Sequence, residues 1–183
     1  MPARLRLDAL VPALAALTLA GCGTDEGAGA LPATLTLEGL AGVTADATPT
    51  AVRDAWDLPV ELVELVSGNV NVGVAPVCAD EQRALLLFAG GRLVEMRFDA
   101  GTRTDEGVGN GSTRAELREA YGDRLRPLPS PYDKSLRLTG DGRTSIDFDL
   151  DGGGRVSRMR YGLRQRHDPW IVEYADLRVQ CPA

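Results

Sequence analysis

Self-similarity at a fixed spacing is the feature that most limits the fold of this 183-residue chain. Three short blocks recur in the same order, displaced by 68, 65 and 63 residues, so only small insertions separate the two series. The matching blocks are 38–40 with 106–108, 51–56 with 116–121, and 91–98 with 154–161. Such recurrence is typical of a repeated structural unit. The sequence therefore predicts two tandem copies of one unit.

Each predicted copy opens with a short helix. Thr48 followed by Pro49 is a typical helix start, with an N-cap and a proline in the first turn. Thr113 and Glu116 have the spacing of a capping box, and Gly122 is expected to end the second helix in a left-handed conformation. Apolar residues on one face of each helix indicate packing against a sheet. These residues are Ala51, Val52, Ala55 and Trp56 in the first helix, and Leu117, Ala120 and Tyr121 in the second.

In each copy, the sequence after the helix predicts a β-hairpin with a glycine-rich turn. In the first copy, residues 84–88 and 92–98 flank the turn 89–91. In the second copy, residues 145–151 and 155–163 flank the turn 152–154. Further strands are expected at 71–77, 134–138 and 170–179, and the proline-rich stretch 126–132 is expected to be a loop.

The predicted fold class is α+β, with two tandem units that each combine a short helix with an antiparallel hairpin or sheet. The first unit spans residues 35–104 and the second spans residues 105–183. Residues 1–21 are assigned to a signal peptide, and residues 22–34, rich in glycine and alanine, to a flexible tether.

The N-terminus indicates export. Arg4 and Arg6 precede an apolar run of 12 residues, which is shorter than the roughly 20 residues of a membrane-spanning helix. The run ends in Leu19-Ala20-Gly21-Cys22, which resembles the lipobox of bacterial lipoproteins. That resemblance implies cleavage before Cys22, lipid on its thiol, and anchoring to a membrane of the cell envelope outside the cytoplasm. The alternatives are an ordinary signal peptide with a chance cysteine, or a buried helix.

The two other cysteines, Cys78 and Cys181, predict one disulfide in an exported chain. Two buried free thiols are the alternative. A metal site is not expected, because two cysteines and the single His167 provide fewer ligands than a typical zinc site needs.

Charge limits the class of partner. The formal net charge of the chain is −6, and loss of the signal peptide makes it slightly more acidic. An acidic chain is poorly suited to bind nucleic acid or an anionic membrane surface. We therefore expect no nucleic-acid partner, and nothing in the sequence indicates a cofactor.

A helix followed by antiparallel strands, twice in tandem behind a lipobox, resembles the superfamily of the β-lactamase inhibitory proteins and the BamE/SmpA lipoproteins. The resemblance covers about Leu35 to Cys181 and rests on this layout. It implies a binding role, since BamE-type proteins serve outer-membrane assembly and the inhibitory proteins grip an enzyme with a concave sheet. That gripping face is rich in aromatic residues, whereas this chain has nine in all, so β-lactamase inhibition is not implied.

The stretch from Asp147 through Asp149 and Asp151 to Gly152 matches the opening of a calcium-binding loop. The twelfth position of such a loop is normally a bidentate glutamate, but here it is Arg158. Antiparallel pairing around a turn at residues 152–155 offers a different account. It predicts, on the core side, the pairs Phe148–Met159 and Ile146–Tyr161, and on the other side a charge ladder of Asp147–Arg160 and Asp149–Arg158. The three aspartates remain an alternative calcium site.

Four arginines, Arg158, Arg160, Arg164 and Arg166, share one side of the last hairpin strand and form a candidate basic strip for an acidic partner. The alternative is the charge ladder followed by a solvated strand end. His167 precedes Asp168-Pro169 and is expected in a turn.

The sequence contains no G-x-S-x-G, no glycine-rich phosphate loop and no HExxH motif. We therefore expect a non-catalytic binding module, anchored by lipid on Cys22, that recognises a protein or an envelope component. The alternatives are an envelope structural or calcium-responsive protein, and a hydrolase that uses carboxylates or His167.

Overall fold

A computed structural model describes residues 34–67, 70–79, 82–128, 135–140 and 142–164. The signal peptide, Cys22, the strand expected at 170–179 and Cys181 lie outside these residues. The strands are β1 (Thr34–Leu35), β2 (Val63–Ser67), β3 (Val70–Ala79), β4 (Gln82–Ala89), β5 (Arg92–Ala100), β6 (Arg103–Thr104), β7 (Leu125–Pro127), β8 (Ser135–Thr139), β9 (Thr144–Leu150) and β10 (Val156–Leu163). The helices are α1 (Pro49–Trp56) and α2 (Arg114–Tyr121), and a short 3-10 helix, Gly122–Arg124, follows α2.

Eight of the strands form one sheet in the order β2-β3-β4-β5-β10-β9-β8-β7. All neighbouring strands in it are antiparallel. Strands β2 to β5 and β7 to β10 each follow one another in chain order, and the two series meet where β5 pairs with β10. Strands β1 and β6 form a separate parallel pair. With two short helices beside a mostly antiparallel sheet, the α+β class is confirmed.

Both glycine-rich hairpins form. Strands β4 and β5 are joined by Gly90 and Gly91, whose φ angles of +59° and +72° suit the two-residue turn that matches the twist of a hairpin. Strands β9 and β10 adopt the predicted register, with Phe148 opposite Met159 and both side chains fully buried. A bulge near Ser157 takes up the extra residue next to the turn.

The helix starts also form as predicted. The Thr48 hydroxyl accepts a hydrogen bond from the Ala51 N–H at 3.2 Å. Thr113 and Glu116 make a complete capping box, in which the Glu116 carboxylate accepts the Thr113 N–H at 2.6 Å. These hydrogen bonds satisfy N–H groups that a helix N-terminus leaves without partners.

The helix faces and the second helix end differ from the predictions. In α1 the buried residues are Val52 and Trp56, whereas Ala51 and Ala55 are exposed. Two of the four residues predicted to face the core in α1 are therefore buried, and the core-facing surface of this helix is narrower than predicted. Gly122 has a φ of +51° but a ψ of −129°, outside the left-handed helical region, because the chain continues directly into the 3-10 helix.

Two strands at the ends of the sheet were not predicted from the sequence. The prediction of a loop at 126–132 is wrong at its start, since β7 pairs with β8 over Leu125–Pro127. A proline is tolerated there because β7 is the last strand in the described sheet and needs a partner on one side only. Strand β2 at the opposite end was also missed.

Apolar side chains pack on both faces of the sheet. The larger core lies on the face that carries the helices and includes Val52, Trp56, Leu117 and Tyr121. A second, smaller cluster forms on the opposite face of β3, β4 and β5 and consists of Val72, Val74, Leu85, Leu87 and Val94. We call it the outer cluster. Within the described residues, no helix is long and apolar enough to cross a bilayer.

Candidate functional site

Charged side chains occupy the outer face on the β8, β9 and β10 side of the sheet. The side chain of Asp147 is 2% exposed and binds Arg137 through two hydrogen bonds, from Nε at 2.6 Å and from Nη2 at 2.7 Å. Arg160 donates from Nη2 to Asp149 Oδ1 at 2.8 Å and lies 4.0 Å from Asp147 Oδ2. Ser135 donates to Asp149 at 2.7 Å. This arrangement neutralises a buried carboxylate with two guanidinium groups.

The ion pairs differ from the predicted ladder, because Asp147 binds Arg137 more closely than Arg160, and Arg160 binds Asp149. Asp149 lies opposite Arg158 in the strand register, as expected, but Arg158 binds Asp99 on β5 at 3.0 Å. Strand β10 has a neighbour on each side, so its arginines can reach acidic groups on either strand. The glycine turn before β10 predicts pairing with β9 alone.

A second ion pair extends the charged surface across β5. Arg97 and Glu95 form a buried pair, and Arg97 lies directly opposite Arg160 in the sheet. Burial by itself would lower the pKa of Arg160, but the carboxylates of Asp149 and its neighbours raise that pKa above its ordinary value. Arg160 therefore stays charged and holds the acidic residues around it.

The three aspartates of the alternative calcium site are engaged in other contacts. Asp147 and Asp149 bind arginines, as described above. Asp151 Oδ1 accepts the N–H groups of Gly153 at 2.8 Å and Arg155 at 2.9 Å, which shapes the turn. No cluster of three metal-ligating side chains occurs among the residues that the structure describes. These contacts favour the ion-pair interpretation of the motif.

The candidate basic strip divides into two parts. Arg158 and Arg160 are ion-paired, whereas Arg164 is exposed at the strand end and donates its backbone N–H to Arg143 at 2.7 Å. Arg166 and His167 fall outside the described residues. The geometry of the first two arginines favours a charge ladder over an open basic surface.

Cys78 lies on β3, half-buried and opposite Arg83, and packs against the outer cluster. Because Cys181 is not among the described residues, the Cys78–Cys181 disulfide stays a prediction. The lipidation of Cys22 stays a prediction for the same reason.

A cavity of about 680 Å³ lies beside the ends of β9 and β10. Its wall includes Tyr161, whose hydroxyl donates to the Glu38 carbonyl at 3.0 Å and lies 3.4 Å from the Ala45 N–H. Thr144 donates its hydroxyl to the Leu37 carbonyl at 2.6 Å. Burial raises the pKa of Tyr161, so the phenol stays protonated near neutral pH. These hydrogen bonds attach the segment between β1 and α1 to the sheet.

The β2 end of the sheet presents apolar surface. Leu62 is 42% exposed and Val63 is 54% exposed, and within the described residues these are the large apolar side chains left open to solvent. Leu62 precedes β2 and packs against Gly73 of β3, where a Cβ atom would lie 3.0 Å from Leu62 Cδ2. The residues after Pro59 are rich in valine and leucine, which suits a strand, but apolar and polar residues do not alternate strictly there.

No known family model matches the chain. Among solved structures, the uncharacterized protein yfeY from Escherichia coli is 13% identical, with a TM-score of 0.46, over 70% of this chain and 99% of the other. The DUF4309-family protein YjgB from Bacillus subtilis is 17% identical, with a TM-score of 0.44, over 68% and 84% of the two chains. A Streptococcus mutans protein described as a candidate β-lactamase inhibitor is 10% identical, with a TM-score of 0.30, over 71% and 90%. All three TM-scores fall below 0.5.

Proposed function

We propose that this protein is a non-catalytic binding module of the bacterial cell envelope, anchored by lipid on Cys22, which recognises a protein through the edge strand β2. The observation that supports this surface most strongly is the exposure of Leu62 and Val63 at the start of β2, the last strand at that end of the described sheet. Solvent-exposed edges carry backbone N–H and C=O groups that can pair with a strand from another chain. Adjacent apolar side chains would add contact area to such a pairing.

The charge around β2 indicates the chemistry of the partner segment. Glu61 and Glu64 are exposed on either side of Leu62 and Val63. An extended segment that combines apolar side chains with lysine or arginine would complement both features. Association would gain from backbone pairing and apolar burial, with the acidic side chains selecting the partner.

The charged residues on the sheet support a non-catalytic role. Catalytic acids and bases need free access to a substrate. Here Asp147, Asp149, Arg137 and Arg160 bind one another on a single face. Their geometry suits the stabilisation of the sheet.

We further propose that the chain arose by duplication, which the hydrogen bonding supports. Ahead of α1, Asp46 N–H donates to the Leu93 carbonyl and Leu93 N–H donates to the Ala47 carbonyl, both at 2.8 Å. Ahead of α2, the corresponding bonds join Gly111 and Ser112 to Val156 at 2.7 and 2.8 Å. Leu93 and Val156, which correspond in the sequence repeat, thus make the same backbone contacts with the segment ahead of the helix in each half.

The central strand pair supports the duplication independently. Met96 of β5 lies opposite Tyr161 of β10, and Met159 lies opposite Phe98. In the sequence repeat Met96 corresponds to Met159 and Phe98 to Tyr161. Exchanging the two copies therefore leaves the pairing unchanged, as expected when two equivalent units meet edge to edge.

The binding surface can be tested with a charge placed on the β2 edge. The full-length lipoprotein, extracted in detergent, is used to capture its partner from the envelope, and Val63→Lys is compared with wild type. An ammonium group removes the apolar contact and repels the basic side chains of the partner, so recovery of the partner should fall at least about tenfold, which corresponds to about 1.4 kcal/mol.

Ala51→Lys is the matched control for this experiment, because Ala51 is exposed on α1 and the added charge is the same. It should leave recovery unchanged. Equal recovery with Val63→Lys and wild type would show that the partner binds elsewhere.

A further inference from the structure

The outer cluster is buried although it lies on the face opposite the helices. Val72, Val74, Leu85, Leu87 and Val94 are between 0 and 5% exposed. Within the described residues, the side chains that pack with them belong to the sheet itself. A sheet face that met water would leave such side chains open. A further layer must therefore exclude solvent from this half of the sheet.

We propose that the C-terminal residues 165–183 form this layer. The segment is long and apolar enough to cover the outer cluster. Its large apolar side chains are Trp170, Ile171, Val172, Tyr174, Leu177 and Val179. Together they supply an apolar surface of the kind that the outer cluster requires.

The point at which the chain leaves the sheet places this segment beside the cluster. Strand β10 ends at Leu163, and its Gly162 pairs with Glu95 of β5. A Cβ atom on Gly162 would lie 2.5 Å from the Val94 carbonyl oxygen, so the two backbones approach closely. Val94 is a member of the outer cluster. The C-terminal segment therefore starts next to the surface that it is proposed to cover.

The far end of the segment has an attachment point across the same surface. Cys78 packs against the outer cluster from β3, which is separated from β10 by β5 and β4. Crossing three strand spacings requires about 14 Å. The residues between Arg164 and Cys181 span this distance easily, since an extended chain covers about 3.3 Å per residue. The predicted Cys78–Cys181 disulfide would then fix the segment over both ends of the cluster.

This placement gives the C-terminus a defined role in the molecule. It closes the apolar half of the outer face and ties β10, in the second half of the sheet, to β3 in the first half. The same placement leaves the β2 edge as the apolar surface available to a partner. The C-terminal layer does not depend on the proposed function, because the buried side chains argue for it alone.

Trp170 is a probe for this proposal. The full chain contains two tryptophans, so Trp56→Phe leaves Trp170 as the one tryptophan, whose emission is excited selectively over that of tyrosine. We expect Trp170 emission to be blue-shifted and protected from acrylamide quenching. Val72→Ala, which opens space in the outer cluster, should increase the quenching of Trp170. In the matched Trp170→Phe background, Val72→Ala should leave the quenching of Trp56 unchanged, since Trp56 lies in the other core.

Hydrogen exchange on the wild-type chain keeps the test decisive if a tryptophan variant fails to fold. Amides in residues 170–179 should exchange at least roughly 100-fold more slowly than in an unstructured peptide. Peptide mapping without reduction should recover Cys78 joined to Cys181. Exchange of residues 170–179 at the unstructured rate would overturn the proposal, and so would Trp170 quenching that ignores Val72→Ala.

Discussion

At the scale of single residues, Asp147 holds the charged face of the sheet together. Its carboxylate is almost completely buried and accepts two hydrogen bonds from Arg137, with Arg160 4.0 Å away. Removing one charge from a buried pair is costly because the partner stays desolvated without compensation. Exposed pairs contribute far less, since water and salt screen them.

We expect Asp147→Asn to lower the free energy of unfolding by about 3–5 kcal/mol. Asparagine keeps the size of the side chain but removes the charge that compensates Arg137 and Arg160. Urea denaturation at neutral pH measures the change.

Asp46→Asn is the control for this prediction. Asp46 binds Arg143 at 3.2 Å, and the Arg143 side chain is 80% exposed. Loss of this exposed ion pair should lower the free energy of unfolding by no more than about 1 kcal/mol. Similar costs for the two variants would contradict the assignment of Asp147 as the centre of the charged face.

Sequence reasoning could place Asp147 and Asp149 on the outer face but could not name all their partners. The spacing around the glycine turn fixes the register of β9 against β10, and this part is confirmed. The contact with Arg137 depends on how β8 pairs with β9, and the contact of Arg158 with Asp99 depends on β5. Only four residues separate β8 from β9, so a hairpin there could have been expected, whereas no short turn joins β5 to β10.

At the scale of elements, the two helices depend on their N-caps, because each spans eight residues and isolated helices of that length are unstable in water. Hydrogen bonds from the Thr113 backbone and hydroxyl lower the pKa of the Glu116 carboxyl below its ordinary value of 4.5. A lowered pKa in the folded state means that ionised Glu116 stabilises the fold. The stabilisation is present above pH 4.5 and is lost as the pH falls through the lowered pKa.

Glu116→Gln should therefore lower the melting temperature at pH 7, and the difference from wild type should shrink as the pH approaches 3. Glutamine keeps the hydrogen-bonding shape of the capping box without its charge. Thermal unfolding followed by circular dichroism at both pH values measures the effect. A constant difference at the two pH values would show that the charge of Glu116 does not contribute.

The elements themselves could be predicted to different extents. The helix N-caps and the glycine hairpins follow local rules, and these were predicted at the right residues, whereas the left-handed cap at Gly122 was not confirmed. Strand β7 was hidden by Pro127 and the prolines after it, which also suit a loop. Strand β2 is short and has one described neighbour, so fewer of its side chains must be buried and its sequence lacks a clear alternating pattern.

At the scale of the whole molecule, the β5–β10 pair joins two strand series into a single sheet. The repeat predicted that each half contains a helix and a hairpin, but the sequence contains no local signal for which strands meet. That choice follows from burying Met96, Phe98, Met159 and Tyr161 in one core. The hydrophobic gain is shared between the halves, so we expect the two series to unfold together.

We propose that this sheet is held at a membrane by lipid on Cys22. Metabolic labelling with palmitate, followed by membrane fractionation, tests the anchor most directly. Wild-type protein should incorporate label and sediment with membranes, because two or more acyl chains give stable anchoring. Cys22→Ala should abolish both, while Cys78→Ala keeps the label. A Cys22→Ala protein that is still labelled and membrane-bound would contradict the account.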